Sequence, residues 1–554
     1  MKNKLSKYFA VLLAATTLAG AVSCQDYLTV NPDNDGTDYV LFSNTDGFVE
    51  ALTGIYTVAR RGSYNPVDGA FFSGYTSLDY NDLMLYLTTT PSDYEHDFSA
   101  LIRQEKGLFE YMSCFWPCAN TSLNYKEEQL YLHRYDDPVI TNNILVFFRN
   151  QYEIVTNTNL ILKWVDAREQ NFLSDRDYHI IKGEALAMRA FALFDLIRAF
   201  GPPPTMSGLH GELYIPYPHD LRTTSYPRET YTRFMELLVE DLDNASALLK
   251  DHDPITTTRM SQLKRYPSAH LPDAWLYNRH TRMNYYAVQG LRARVHQWRG
   301  SDNDRSLAFT FAAEVVAAQV LGEKTFTFNN AEDYNWQTMI IPKNEMIFGM
   351  PAQTAITPYR YVKANGPAAN IKYFAIGSAQ MSFVDEHLNS VFGGPEAVSS
   401  VKLSDVRYSR QLHLTTGNMG MQAYHPVKFA PFSDTGNQNL TPMIRLSEMY
   451  LIAADCAPTD GESLKYLNIL REAKASAAIY EGDRDKWILC EYGAEFWGEG
   501  QLWFCYKRLG LDTIPFAYYR TAPVNYFQGF AGPVPMDADA YMLPVPWEEI
   551  TSTN

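Results

Sequence analysis

In window after window of this chain, apolar residues recur at i, i+3, i+4 and i+7, the spacing that gathers them on one face of an α-helix. Each such stripe must be buried against another element, so the predicted fold is mostly α, built from packed helical pairs. Asp46 caps a helix running to about residue 61 that turns Phe48, Leu52, Ile55 and Tyr56 inward. Residues 139–166 form a long helix with Ile144, Phe148, Ile161 and Trp164 facing the core. Ser174 and Asp175 open a helix over 178–200, which Gly201 and the breakers Pro202, Pro203 and Pro204 stop. Pro227 suits the first turn of a helix reaching Leu249. Residues 283–298 and 304–321 make a close pair, and 442–457, 462–477 and 485–507 a third cluster.

Small residues sit mid-helix in Met188-Arg189-Ala190 and again in Leu291-Arg292-Ala293, where a neighbouring helix can approach closely. The 34-residue tetratricopeptide signature is absent, so the expectation is helical-hairpin packing of that general kind from unlike copies. The scaffold is expected over about 44–61, 139–321 and 442–507. Stretches without helical period fall at about 62–137, 250–282 and 322–441. The last is too long for a plain connector and is expected to hold short strands, one at 346–350. Loops on a rigid scaffold are where binding residues concentrate. These insertions carry Tyr75, Tyr80, Trp116, Trp275, Tyr277, Tyr359 and Tyr361, detached from any helical stripe. Aromatic rings laid on the apolar faces of sugars are one use for such residues, and packing within the insertion is the other.

The N-terminus reads as an export signal. Lys2, Lys4 and Lys7 form a positive region, an apolar stretch spans 8–18, and small residues 19–23 lead to Cys24. The apolar stretch is shorter than the ~20 residues a membrane-spanning helix needs. Small residues directly before a cysteine resemble the lipobox of bacterial lipoproteins, so 1–23 are expected to be removed and Cys24 to carry lipid, with 24–554 as the mature domain. Removing 1–23 takes three lysines and no acid, moving the formal charge from −16 to −19. An acidic chain repels phosphate backbones, which counts against nucleic acid. With Cys24 assigned, Cys114, Cys118, Cys456, Cys490 and Cys505 remain. An odd number leaves no complete disulfide framework. Cys114 and Cys118 can form a local bridge, and buried free thiols are expected for the other three.

Signatures of catalysis are missing. There is no GxSxG elbow, HExxH or phosphate loop, the twelve histidines show no ligand spacing, and no metal or cofactor is expected. Glu495 and Glu499 are the one carboxylate pair of interest, since i, i+4 residues share a helix face. Glycosidase chemistry is one reading of the pair; inter-helix ion pairing is the other and the favoured one. Arg189 and Arg292, on otherwise apolar helices, are expected to pair with carboxylates such as Glu184.

Several segments, in order along the mature chain, together resemble the SusD/RagB family of Bacteroidetes surface lipoproteins. They are Cys24-Gln25-Asp26-Tyr27-Leu28 with Asn31-Pro32, then Gly183-Glu184-Ala185-Leu186-Ala187-Met188-Arg189-Ala190-Phe191 running on to Phe200-Gly201. Leu291-Arg292-Ala293-Arg294-Val295, Glu345-Met346-Ile347-Phe348 and Arg445-Leu446-Ser447-Glu448-Met449-Tyr450 follow. Glu495-Phe496-Trp497-Gly498-Glu499-Gly500-Gln501, Lys507-Arg508 and Leu543-Pro544-Val545-Pro546-Trp547-Glu548 complete the set. Asp455 stands where the family usually has Glu, and Gln501 where many members have Arg. The resemblance implies a tetratricopeptide-like scaffold with variable ligand-binding insertions. It also implies lipid anchoring at the cell surface in the outer membrane, and a partnership with a SusC-like TonB-dependent transporter. The ligand it implies is a nutrient, a glycan for most members and a peptide for some, bound without catalysis. The matched motifs belong to the scaffold, and no ligand contact carries over from them. An oligopeptide binder, a secreted glycosidase using Glu495 and Glu499, and a protein-protein adaptor are the competing functions.

Overall fold

The computed structural model describes residues 35–65, 70–73, 133–136, 138–168, 173–222, 224–264, 271, 273–330, 343–351, 375–376, 388–389, 391–396, 398–416, 422–426, 440–497, 499–514 and 535–546. The principal helices are α1 (Asp35–Leu41), α2 (Thr45–Arg61), α3 (Pro138–Arg168), α4 (Asp175–Phe200) and α5 (Tyr231–Lys250). Beyond them come α6 (Tyr285–Arg299), α7 (Asp302–Ala317), α8 (Leu446–Asp455), α9 (Asp460–Ala473), α10 (Arg484–Phe496) and α11 (Leu502–Leu509). From α2 to α9 each helix packs on the next in sequence. That serial pairing is the helical-hairpin architecture the periodicity implies. None of the described helices is long and apolar enough to cross a membrane.

At the centre lies α4. Its Ser174 N-cap accepts a hydrogen bond from the Asp177 amide at 3.1 Å, and from Ile180 to Phe200 nearly every residue is buried. A helix with no polar face belongs inside a protein, between others. Gly183 makes the contact with α5 possible, because a Cβ there would come within 2.7 Å of Leu249 Cγ. On α6, Gly290 plays the same part toward Ile444 and Met449. At its C-terminus α4 ends on Gly201 as expected, in extended rather than left-handed geometry. The ammonium of Lys507, on α11, donates to the carbonyls of Arg198 (2.6 Å) and Gly201 (2.7 Å) there. A cation at a helix C-terminus satisfies the last carbonyls and matches the helix dipole.

Four boundaries differ from the sequence reading. Thr230, not Pro227, begins α5: its hydroxyl caps Arg233, and the preceding residues run extended, with Leu213 donating to the Glu229 carbonyl. Pro442 lies in a strand, β7 below, and α8 starts only at Leu446. The helix expected over 304–321 is α7, capped by Ser301 and ending at Ala317 before a short turnback. The helix expected over 485–507 is two, α10 and α11, separated at 497–501 where Gly500 takes φ +67°.

Among the described residues strands are few: besides a two-residue hairpin, Gln319–Val320 with Glu323–Lys324, they are β1 (Gly62–Asn65), β2 (Ala70–Ser73), β3 (Met346–Pro351), β4 (Ala375–Ile376), β5 (Leu412–Thr416), β6 (Gln422–Pro426) and β7 (Leu440–Arg445). The strand expected at 346–350 is β3, paired antiparallel with β7 so that Met346 faces Arg445 and Pro351 faces Leu440. This ribbon brings a residue from the long insertion beside the start of α8. Cys456, Cys490 and Cys505 are buried free thiols. Burial pushes the first two up to about 12 and Cys505 up to about 11, which keeps them as inert thiols. The expected N-terminal signal, Cys24, Cys114 and Cys118 lie outside the described residues.

Candidate functional site

Glu495 and Glu499 come together in a buried ion-pair network. Glu495 is in the last turn of α10, and Glu499 follows it in the break before α11. Arg445, the N-cap residue of α8, binds Glu499 through two nitrogens at 2.9 and 2.8 Å and also pairs with Glu495. Arg407 reaches the second oxygen of Glu495 at 3.0 Å and Glu491 at 2.8 Å while gripping Asp405. Lys474 holds Glu345 at 2.7 Å, and Arg471 pairs with Glu491. All these side chains are buried. Carboxylates already engaged by guanidinium groups in a closed interior lack the facing arrangement across a substrate that glycoside hydrolysis uses. The network instead joins the turn before β3, the junction of β7 with α8, the short helix Val406–Ser409, the end of α9, and α10. The glycosidase reading of the pair gives way to the ion-pair reading.

A second network ties α2, α4 and the loop before α6. Glu184, fully buried on α4, accepts from Tyr56 at 2.7 Å and pairs with Arg279 and with Arg282, the latter at 3.0 Å. Arg279 also forks onto Asp253 at 2.9 and 2.7 Å. Of the two arginines singled out, Arg189 pairs between helices with Asp241 on α5 rather than with Glu184. Arg292 reaches Asp243 at 2.6 Å on the same helix.

These networks predict an acid-labile fold. Burial by itself raises the carboxyls of Glu184, Glu491 and Asp455, but neighbouring guanidinium groups outweigh it and hold all three below their ordinary values. Those groups are Arg279 and Arg282 beside Glu184, Arg407 and Arg471 beside Glu491, and Arg508 and Arg305 beside Asp455. A carboxyl lowered on folding contributes stability that is present above its unfolded value of about 4 and is lost as pH falls through the lowered value. The urea midpoint should therefore fall progressively below about pH 4. A midpoint that holds or rises between pH 5 and pH 3 contradicts this.

Of the seven aromatics named from sequence, Tyr75, Tyr80, Trp116, Tyr359 and Tyr361 lie outside the described residues. Trp275 and Tyr277 sit in and just after a single helical turn, Ala274–Leu276, between α5 and α6. Tyr277 is buried, and its hydroxyl donates to the Leu271 carbonyl at 2.5 Å. Trp275 stays half-buried against the core, with the Arg282 guanidinium 5.9 Å from its ring and 4.8 Å from that of Tyr56. These two aromatics do not share an exposed face. Trp275, with Arg282 beside it, is the described one that keeps a reachable edge, on a loop held by Leu276 and Tyr277.

Sequence reasoning did not single out a cavity of about 700 Å³ at the far end of α4. Phe200, Ile144, Leu213 and Leu543 are among its apolar walls, and Asp136, Glu212 and Asp539 supply carboxylates. Tyr214 on its lining is 54% exposed with Arg228 stacked 4.5 Å over the ring. No periodic signal marks these residues, because three separated segments form the walls.

Comparison with known proteins places this architecture. A SusD-like family model described as "Starch-binding associating with outer membrane" matches residues 109–269, and the SusD family model matches 409–552. The chain belongs to the SusD/RagB family. A SusD-like carbohydrate binding protein from Bacteroides vulgatus has a TM-score of 0.62 at 16% identity, covering 92% of this chain and 96% of that one. A SusD superfamily protein from Bacteroides thetaiotaomicron gives 0.60 at 19% identity, over 92% and 98%. Surface glycan-binding protein A from Bacteroides uniformis gives 0.60 at 13% identity, over 92% and 97%. Among curated proteins none matches the sequence.

Proposed function

We propose that this protein is a cell-surface lipoprotein that captures a glycan and delivers it to a SusC-like TonB-dependent transporter in the outer membrane. The observation that carries the glycan class is the match to a family described as starch-binding and associated with the outer membrane, together with fold relatives whose names include carbohydrate and glycan binding. The anchor is Cys24, and binding proceeds without hydrolysis. Trp275 supports the place of contact: a rigid indole on a scaffold-held loop offers an apolar face to a pyranose, and Arg282 beside it supplies hydrogen-bond donors. Tyr75, Tyr80, Trp116, Tyr359 and Tyr361 are proposed as further ligand contacts from the neighbouring insertions.

Calorimetric titration against a panel of soluble polysaccharides tests this reading. Trp275→Ala should weaken binding by ~1–3 kcal/mol, about ten- to a hundredfold, with no turnover of any polysaccharide by the parent. Because Trp275 also packs on the core, a modest fall in melting temperature is expected, with the variant still folded at the titration temperature. Parent-like binding by the folded variant removes Trp275 from the site. The apolar walls of the 700 Å³ cavity favour a second reading, an oligopeptide ligand. Binding of apolar peptides but not glycans, weakened by Tyr214→Ala and not by Trp275→Ala, would select it.

A further inference from the structure

Where α4 begins and α5 ends, three side chains with metal-ligand chemistry converge. Asp175 and His179 lie one turn apart on α4, and His252 follows the C-cap of α5. One nitrogen of each imidazole and an oxygen of the carboxylate all lie within 4.8 Å of one another. The two rings stack with centroids 3.9 Å apart. Their Nδ1 atoms are 3.4 and 3.7 Å from the two oxygens of Asp175.

The surroundings hold these groups in place. Gly183, one turn further along α4, lets Leu249 of α5 approach closely, which sets the end of α5 over the start of α4. The residue after His252 is fixed: Asp253 is forked by Arg279 and accepts from the amides of Ile255 and Tyr285, both at 3.0 Å. His179 is oriented by a 2.6 Å contact between Nδ1 and the Asp175 carbonyl. Arg176, the cation nearest in sequence, is turned onto Asp177 and Asp273. Among the described residues Asp175 has no Lys or Arg partner, so its charge faces the two imidazoles alone.

We propose that Asp175, His179 and His252 form a binding site for a borderline transition cation, zinc above all, that clamps the start of α4 to the end of α5. Two imidazoles and a carboxylate are a donor set zinc accepts, and hard calcium, which takes oxygen ligands, does not prefer it. Tetrahedral zinc has its ligands about 2.0–2.2 Å from the metal and in the plane of each imidazole, so the two rings, which lie nearly parallel at 11°, turn about their side-chain torsions to bring one nitrogen each onto the metal. All three side chains retain solvent access that permits this movement. Three protein donors leave a fourth position for water or an outside donor.

Titration of the mature protein with zinc chloride in metal-free buffer, followed by calorimetry, tests the site. The parent should bind one zinc and melt at a higher temperature with zinc than without, because a ligand of the folded state stabilises it. His179→Ala, His252→Ala and Asp175→Asn should each weaken zinc binding by at least about 100-fold, since even outer-shell partners of a metal are worth about 10- to 100-fold. The conservative His179→Gln covers the case in which the alanine variant misfolds, and Asp243→Asn, at an exposed position of α5, should bind as the parent does. No zinc binding by the parent, binding unchanged in all the site variants, or preference for calcium over zinc would each overturn the proposal.

Discussion

Replacing Arg445 by methionine should cost about 3–5 kcal/mol of folding stability, the range expected when one partner of a buried ion pair is removed. The size follows from what remains. Glu499 loses a two-nitrogen grip, Glu495 loses a partner while keeping Arg407, and the Glu495 carbonyl loses a 2.7 Å donor. These carboxylates are almost completely shielded from water, so their desolvation is less fully offset. Glu345 suffers less, since Lys474 and Ser447 still hold it at 2.7 and 2.8 Å. Denaturant unfolding checks the magnitude. Adding Glu499→Gln to Arg445→Met should recover part of the loss by removing the charge whose two-nitrogen grip is gone. A methionine variant within about 1 kcal/mol of the parent, the scale of an exposed pair, would mean that water reaches this network.

Replacing Cys24 by alanine should move the protein from the membrane fraction to the soluble fraction when it is expressed without the proposed transporter. Under the proposed function, attachment rests on acyl groups at Cys24. Each buried methylene contributes about 0.8 kcal/mol, and one acyl chain binds only marginally whereas two hold stably. A lipoprotein cysteine carries at least two through its diacylglycerol. The substitution therefore removes the whole anchor while leaving the distant helical scaffold folded. Fractionation with circular dichroism on the released protein measures both. Continued membrane association of a folded alanine variant would exclude lipid at Cys24 as the attachment.

How much was legible varied with the range of the interaction. The start of α4 was readable because Ser174 caps locally and its end because Gly201 and three prolines follow at once. The start of α8 was misread because a short, mostly apolar stretch such as 442–446 suits strand and helix alike; pairing with β3 decides it. The break between α10 and α11 depends on Trp497 entering the core and Glu499 turning onto Arg445. The 495/499 spacing correctly placed two carboxylates together, but their chemistry is set by an arginine 50 residues earlier in the chain for Glu495 and 54 for Glu499. Asp175 and His179 stood at helical spacing in plain view. His252, which gives that pair a meaning, arrives only through the packing of α5 on α4.

By itself, then, the sequence determined the serial helical scaffold and the family likeness, because caps, breakers and periodicity act between residues a few positions apart. Only the tertiary structure decided which charges neutralise each other, which aromatic keeps an open edge and which histidines meet. Those outcomes depend on side chains from separate helices reaching one place, where burial raises the cost of every unpaired polar group and so selects the partners.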